Sequence, residues 1–326
     1  MTLREYRNGV KNLLKRSLPH CMDAFLPKLR SNRKFEEPDY TAGLAINLPR
    51  VINEREKELA CRLGLRFGGC YIHQKPYVVY EDNFKKVRRE LGDLLVLCRE
   101  KRDGEELFNA ALLQLKMADG KCDIDDGQLR IYTEWPKIWL EGKFGGPFRS
   151  FDVYPKAVTQ GALYSFVHVP DREASQSGAE DEDQVQGNED VLRFTVASPR
   201  RNFGRRRILA DNAGMRLEEF LSDFVIWQSG RSIGSREDSL NNPCDSWSRL
   251  IWTVVDQLED VFSRRRNIGM TGRNLKREQG AFFNLLKMKD CLHEQFESVL
   301  NRMSADGRSE GDGCALLFID KRPRRD

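Results

Sequence analysis

Three polar side chains interrupt two strongly apolar segments in the first half of the chain. Asp93 comes directly before the run Leu94–Leu97, and Gln114 and Lys116 alternate with leucines in a second run. A continuously apolar run is typical of a strand buried on both faces, where an unsatisfied polar group is costly. Residues two apart on a strand point to the same side. If the two strands pair, an acid, an amide and an amine converge on one face of a buried sheet.

This arrangement resembles the PD-(D/E)xK nuclease superfamily, the restriction-endonuclease-like enzymes. In that family an acidic residue opens one strand and a (D/E)xK triplet lies on the next, and here Asp93 and the QxK triplet ending at Lys116 take these places. The resemblance covers about residues 52–170 and is strongest over 90–116. Gly92 stands where proline is usual. Gln114 stands where an acid is usual, which removes one negative charge and is expected to weaken metal binding.

The resemblance implies a site that hydrolyses phosphodiester bonds with Mg²⁺ or Mn²⁺. Asp93 would be the main metal ligand, and Gln114 a second ligand through its amide oxygen, since hard cations prefer oxygen. The metal would polarise the phosphate and lower the pKa of the attacking water. Lys116 would be the catalytic lysine, orienting that water or neutralising the developing charge. In the alternative without chemistry, Asp93 caps a turn and Lys116 extends its stem from a strand end.

Members of this superfamily often take a further acid from a helix earlier in the chain. Three acids are candidates here, in this order of preference: Glu90, Glu58 and Glu56. We assign Glu90 to the catalytic set and Glu58 to the metal ligands.

Arginines cluster at two places later in the chain. One cluster, which we expect to contact DNA or RNA phosphates, comprises Arg200, Arg201, Arg205, Arg206 and Arg207. The other, Arg264–Arg266, is interpreted as a solvated basic face that complements a helix C-terminus. The net charge of the chain is only +4, so the partner is indicated by local clusters and not by the overall balance.

The pattern of elements predicts an α/β fold, a mixed central sheet flanked by helices with a helical C-terminal part. Residues 1–50 are predicted to be helical and then irregular, 51–214 to form the nuclease-like core, and 215–326 to be mainly helical. Apolar runs predict a hairpin over about 94–117 and strands at 163–169, 191–198 and 314–320. Residues 171–190 hold eight acids and almost no apolar side chain, which predicts a disordered insertion between two strands.

Several classes of protein are disfavoured by the composition. No apolar run reaches the length of about 18–20 residues that spans a bilayer, and the basic N-terminus lacks the apolar core of a secretory signal. The eight cysteines are scattered without zinc spacing, which favours free thiols in a reducing cytoplasm. Neither a P-loop nor a dinucleotide-binding glycine motif occurs.

Three functions compete. The first is a metal-dependent nuclease, acting on DNA, of the kind found among bacterial antiphage or restriction effectors. The second is a nuclease-like scaffold that binds nucleic acid without cutting it, which the glutamine at Gln114 favours. The third is a protein-interaction subunit of a larger complex. We expect a cytoplasmic protein without membrane contact. A protein partner in a defence complex, or an oligomer, fits the sequence equally well.

Overall fold

The computed structural model describes most of the chain, and every structural statement below concerns its described residues. These are residues 1–25, 35–72, 76–118, 124–141, 149–154, 156, 161–169, 192–199, 214–242, 244–266 and 314–322.

Four helices come first along these segments, and strands with four further helices follow. The helices are α1 (Leu3–Phe25), α2 (Glu37–Ala42), α3 (Leu48–Arg55), α4 (Lys57–Arg62), α5 (Asp126–Glu134), α6 (Leu217–Val225), α7 (Arg236–Asn241) and α8 (Ser246–Arg266), with a π-helical segment, Gly43–Asn47, joining α2 to α3. The strands are β1 (Leu65–Ile72), β2 (Tyr77–Asp82), β3 (Lys85–Glu90), β4 (Leu94–Arg102), β5 (Glu105–Met117), β6 (Ile138–Leu140), β7 (Arg149–Phe151), β8 (Ala162–His168), β9 (Arg193–Ala197), β10 (Met215–Arg216), β11 (Arg231–Ile233) and β12 (Cys314–Lys321).

The strands form two sheets. The larger has the order β1-β12-β4-β5-β8-β9-β10, and β11 pairs with the first part of β5. It is mixed, since β12 runs parallel to β4 and β5 parallel to β8, while its other pairs are antiparallel. The smaller sheet has the order β3-β2-β6-β7 and is antiparallel. The predicted α/β class with a mixed sheet flanked by helices is therefore confirmed.

Each face of the larger sheet carries its own apolar core. On one face, leucines and valines such as Leu94, Val96 and Leu113 pack with α1, α3 and α6. On the other, Leu95 and Leu112 pack with the smaller sheet, α5 and α8. Because both faces are covered, β4 and β5 read as continuous apolar runs and not as alternating ones.

The predicted hairpin is formed by β4 and β5, which pair in antiparallel register from Leu94 opposite Leu113 to Arg102 opposite Glu105. Asp103 and Gly104 make the two-residue turn, both with positive φ (51° and 86°). Asp-Gly is favoured in such turns because both central residues must adopt a left-handed backbone. This register places Asp93, one residue before β4, opposite Gln114.

Other predictions have mixed outcomes. The strands predicted around 163–169, 191–198 and 314–320 are confirmed as β8, β9 and β12. The C-terminal part contributes α6, α7 and α8, and also β12, which lies between the edge strand β1 and β4 in the larger sheet. The acidic segment 171–190 and the arginine cluster of 200–207 lie outside the described residues.

Membrane crossing by a helix finds no support in the described ranges, where no helix combines sufficient length with sufficient hydropathy.

Candidate functional site

The site is built around Asp93, at the point where β4 begins. Its backbone is fixed on both sides, since its N–H donates to the Leu113 carbonyl (3.0 Å) and its carbonyl accepts from the Ala315 N–H (2.8 Å). The residue is 4% exposed. One oxygen, Oδ2, accepts from the Leu115 N–H (2.8 Å) and from Nε2 of Gln114. The sheet thus aims a buried carboxylate directly at the QxK strand.

Gln114 is almost completely buried, with 1% of its surface exposed. Its Nε2 donates to Asp93, and its Oε1 accepts from Nε2 of Gln128 at 2.5 Å. Gln128 lies in the first turn of α5 and is also buried. The three side chains form one hydrogen-bonded chain, in which each bond polarises the next. Buried polar groups of this kind are tolerated because they satisfy one another.

The sequence prediction missed Gln128. Two signals pointed to its helix: Asp125 is an N-cap residue, whose Oδ1 accepts from the Gln128 N–H (2.9 Å), and apolar residues recur along α5 at helical spacing. The helix is also tied to β3, because Arg89 Nε donates to the same Asp125 oxygen at 2.5 Å. Burial acts to raise the pKa of Asp125, but the Arg89 hydrogen bond and the backbone N–H of Gln128 outweigh it, and the pKa is lowered.

One turn after Gln128, Tyr132 completes the contact between α5 and the site. Its hydroxyl donates to the Leu91 carbonyl at 2.7 Å. A Cβ added at Gly92 would lie 3.0 Å from that hydroxyl. Gly92 therefore gives Tyr132 its close approach to the backbone just before Asp93.

Lys116 lies two residues after Gln114 and is less buried, with 22% of its side chain exposed. Its Nζ lies 3.9 Å from Oε1 of Glu37, in the first turn of α2. Lys116 lies beyond the start of β4, so its long side chain can extend past that strand toward the helix. The acid from an earlier helix that meets the lysine is therefore Glu37, which the sequence prediction did not consider.

The acids that were predicted for this role are placed elsewhere. Glu90 ends β3 opposite Tyr77 and is partly exposed; strand alternation puts it on the opposite face from Val87, which packs into the core. Glu56 is buried and pairs with Arg16 at 3.1 Å.

Glu58 is exposed on α4, which leads into Leu65. Leu65 pairs with Lys321 of β12, and Lys321 pairs with Glu100 of β4. Glu100 lies six residues beyond Leu94. That distance is about 20 Å of strand. The structure does not bring Glu58 next to Asp93.

Asp93 supplies the carboxylate of the chain formed by Asp93, Gln114 and Gln128. Within the described ranges, no group of three or more His, Cys, Asp or Glu side chains is placed to hold a metal ion. Asp93 and Gln114 are oxygen donors by type, the kind that Mg²⁺ prefers, and Mg²⁺ usually takes only one or two carboxylates and completes its shell with water. In this structure Gln114 directs its N–H toward Asp93 and its oxygen toward Gln128.

Comparison with known proteins adds no relative: no protein-family model, curated protein or solved structure matches this chain.

Proposed function

We propose that this protein is a Mg²⁺-dependent nuclease of the PD-(D/E)xK type, with a QxK triplet, that hydrolyses phosphodiester bonds of DNA. The observation that carries the proposal is the register of β4 and β5, which sets Asp93 opposite Gln114 and joins their side chains. Lys116 follows two residues later on the same strand, at the end of the sheet where β4 begins and β5 ends. An acid, an oxygen-bearing amide and an amine at one edge of a mixed sheet are the groups that this chemistry requires.

The donor set fits a small hard cation. Asp93 and Gln114 would hold it, with Glu37 as the nearest further carboxylate at Lys116. Gln114 presents its oxygen if its amide turns over, which exchanges the NH₂ and the oxygen. When bound, the cation supplies a Lewis acid for the phosphate and lowers the pKa of the attacking water.

The remaining residues orient other groups of the site or neutralise charge. Lys116 has an ammonium group that can hold the water or compensate the charge that develops on the phosphate. Glu37 orients that ammonium group from α2. If the amide of Gln128 turns over together with that of Gln114, the hydrogen bond between them is kept with its direction reversed, and Gln128 then holds the Gln114 oxygen toward Asp93, in the way that outer hydrogen bonds orient the ligands of metal sites. This division of roles gives each member of the network its own expected effect when it is changed.

A second function has its own observation. Asp93, Gln114 and Gln128 already satisfy one another, and Gln114 brings no charge for a cation. A nuclease-like scaffold that binds nucleic acid or a partner protein without cutting would have such a closed network. In either case we propose a role in a cytoplasmic defence system, on the strength of the family resemblance alone.

The deciding experiment is cleavage of supercoiled plasmid in Mg²⁺, in Mn²⁺ and in EDTA. We compare the wild type with Lys116→Ala and with Lys101→Ala, a matched control that removes an exposed lysine at the far end of β4. The nuclease requires metal-dependent nicking that Lys116→Ala abolishes and Lys101→Ala retains. No cleavage by a folded wild type, across both metals, would reject it in favour of the binding scaffold.

A further inference from the structure

The turn between β2 and β3 has an unusual residue at its tip. Asn83 and Phe84 form a two-residue hairpin loop, with φ of 48° and 62°. Such loops favour Asn followed by Gly, because both central residues take a left-handed backbone. A bulky side chain in that conformation is a rare and strained arrangement. Phe84 is also fully exposed, at 106% of its reference area. The tip therefore presents an aromatic ring where glycine would be more stable.

Two cations follow the ring directly. Lys85 and Lys86 are both exposed, and neither takes part in an ion pair with the described residues. Further along β3, two arginines form ion pairs: Arg88 with Glu141, and Arg89 with Asp125, the N-cap residue of α5. These pairs hold the strand in place and leave the two lysines at the tip, opposite Asp82 and Glu81 of β2, of which Asp82 pairs with Arg130 of α5.

We infer that this tip, Asn83–Lys86, is a contact surface for the nucleic-acid substrate. The inference rests on the proposed function for the identity of the ligand. Apolar and aromatic side chains insert between base steps or stack on exposed bases, and lysines neutralise phosphates. The tip carries one ring and two cations side by side, which matches the alternation of base and phosphate. An acidic protein would use the lysines but would give the strained ring no comparable partner.

The position of the tip fits the same ligand. β3 runs from Lys85 to Glu90 and continues through Leu91 and Gly92 to Asp93. Six residues of strand span about 20 Å, or about half a turn of duplex. One bound DNA segment can therefore touch the tip and extend along β3 to the end of the strand that leads into Asp93, and the tip would set the substrate's position relative to the site.

The test measures binding apart from cleavage. Lys116→Ala protein, which is not expected to cut, is titrated against a fluorescein-labelled DNA duplex of about 30 base pairs across a series of salt concentrations, a length that spans the site and the tip. Two changes are added to that background: Phe84→Gly, and Lys85→Ala with Lys86→Ala. The matched control, Lys101→Ala with Arg102→Ala, removes two exposed cations beside the opposite hairpin turn.

We expect Phe84→Gly to weaken binding about tenfold, the order of one lost stacking contact, while its melting temperature stays equal or rises. The lysine pair should reduce the slope of log Kd against log salt by about two, and the control should leave the slope unchanged. Equal affinity of Phe84→Gly and its parent would overturn the inference, as would an equal loss in the control. Plasmid cleavage by the wild type tests the proposed function separately. If the wild type cleaves DNA and the tip variants bind it as tightly as their parent, only this inference is overturned.

Discussion

Asp93 and Gln114 face each other across the first pair of positions beyond the β4–β5 ladder, and a hydrogen bond from Nε2 of Gln114 to Oδ2 of Asp93 joins them in the protein interior. Leu115 adds its backbone N–H to the same oxygen. This one carboxylate oxygen therefore serves two functions: it satisfies two buried donors, and it holds the amide that would share a cation with it. Stability and activity of the site can be separated by choosing which of these contacts a substitution removes.

The first prediction concerns Asp93 itself. Asp93→Ala leaves the Leu115 N–H and the Gln114 amide without their acceptor, so we expect the free energy of unfolding to fall by about 3 kcal/mol. Asp93→Asn retains an acceptor oxygen of the same shape and should lose about 1 kcal/mol. Urea denaturation measures both, and Asp93→Asn is consequently the better variant for testing cleavage, which it should abolish. An alanine variant as stable as the wild type would show that the network is not satisfied as described.

The second prediction concerns an acid placed at position 114. Gln114→Glu puts two buried carboxylates in contact, which raises the pKa of one of them. A raised folded-state pKa stabilises the protein at low pH and loses that contribution as pH rises through it. In EDTA the melting temperature of the variant, relative to wild type, should therefore be lower at neutral pH than at about pH 5. Mg²⁺ should raise it by several degrees more than it raises the wild type. Equal Mg²⁺ effects on both proteins would argue against a cation at this position.

The third prediction concerns the outer member of the chain. Gln128→Leu keeps a similar volume but removes the donor to Gln114 Oε1, which should cost about 1–2 kcal/mol of stability. If Gln128 orients Gln114 for catalysis, cleavage should fall by about tenfold to a hundredfold. Thr133→Ala is the matched control, because its hydroxyl bonds to the Leu129 carbonyl within the same helix. Cleavage at the wild-type rate by the Gln128 variant would show that this residue contributes to packing and not to catalysis.

The fourth prediction is a pH dependence at the start of α5. The pKa of Asp125 is lowered: burial opposes this, but the Arg89 hydrogen bond and the Gln128 N–H prevail. A depressed folded-state pKa contributes stability that is present above the ordinary value of an aspartate and is lost as pH falls through the folded value. Urea denaturation at about pH 6 and about pH 3 should therefore show a smaller loss for Asp125→Asn than for wild type. The same loss in both proteins would contradict the assignment.

Two apolar runs were enough to predict the β4–β5 hairpin, and the period of two along a strand then predicted that Asp93 and Gln114 would converge on one face. These features are local, because both strands and their turn lie within residues 94–117. The strands β8, β9 and β12 followed in the same way from short apolar runs. Patterns of this kind act through the backbone periodicity of each segment and need no knowledge of the rest of the chain.

The tertiary structure decided which groups complete the site. Glu37 meets Lys116, and Gln128 meets Gln114, because α2 and α5 dock at the end of the larger sheet where β4 begins and β5 ends. Glu58 was predicted as a metal ligand, yet its helix leads into the other end of the sheet. β12, more than two hundred residues after β4, pairs beside it in the larger sheet. Side-chain periodicity is a local property that one segment carries, whereas the neighbour of a helix or strand depends on the packing of the whole core. The sequence therefore determined the central acid–amide pair, and only the folded chain supplied its partners.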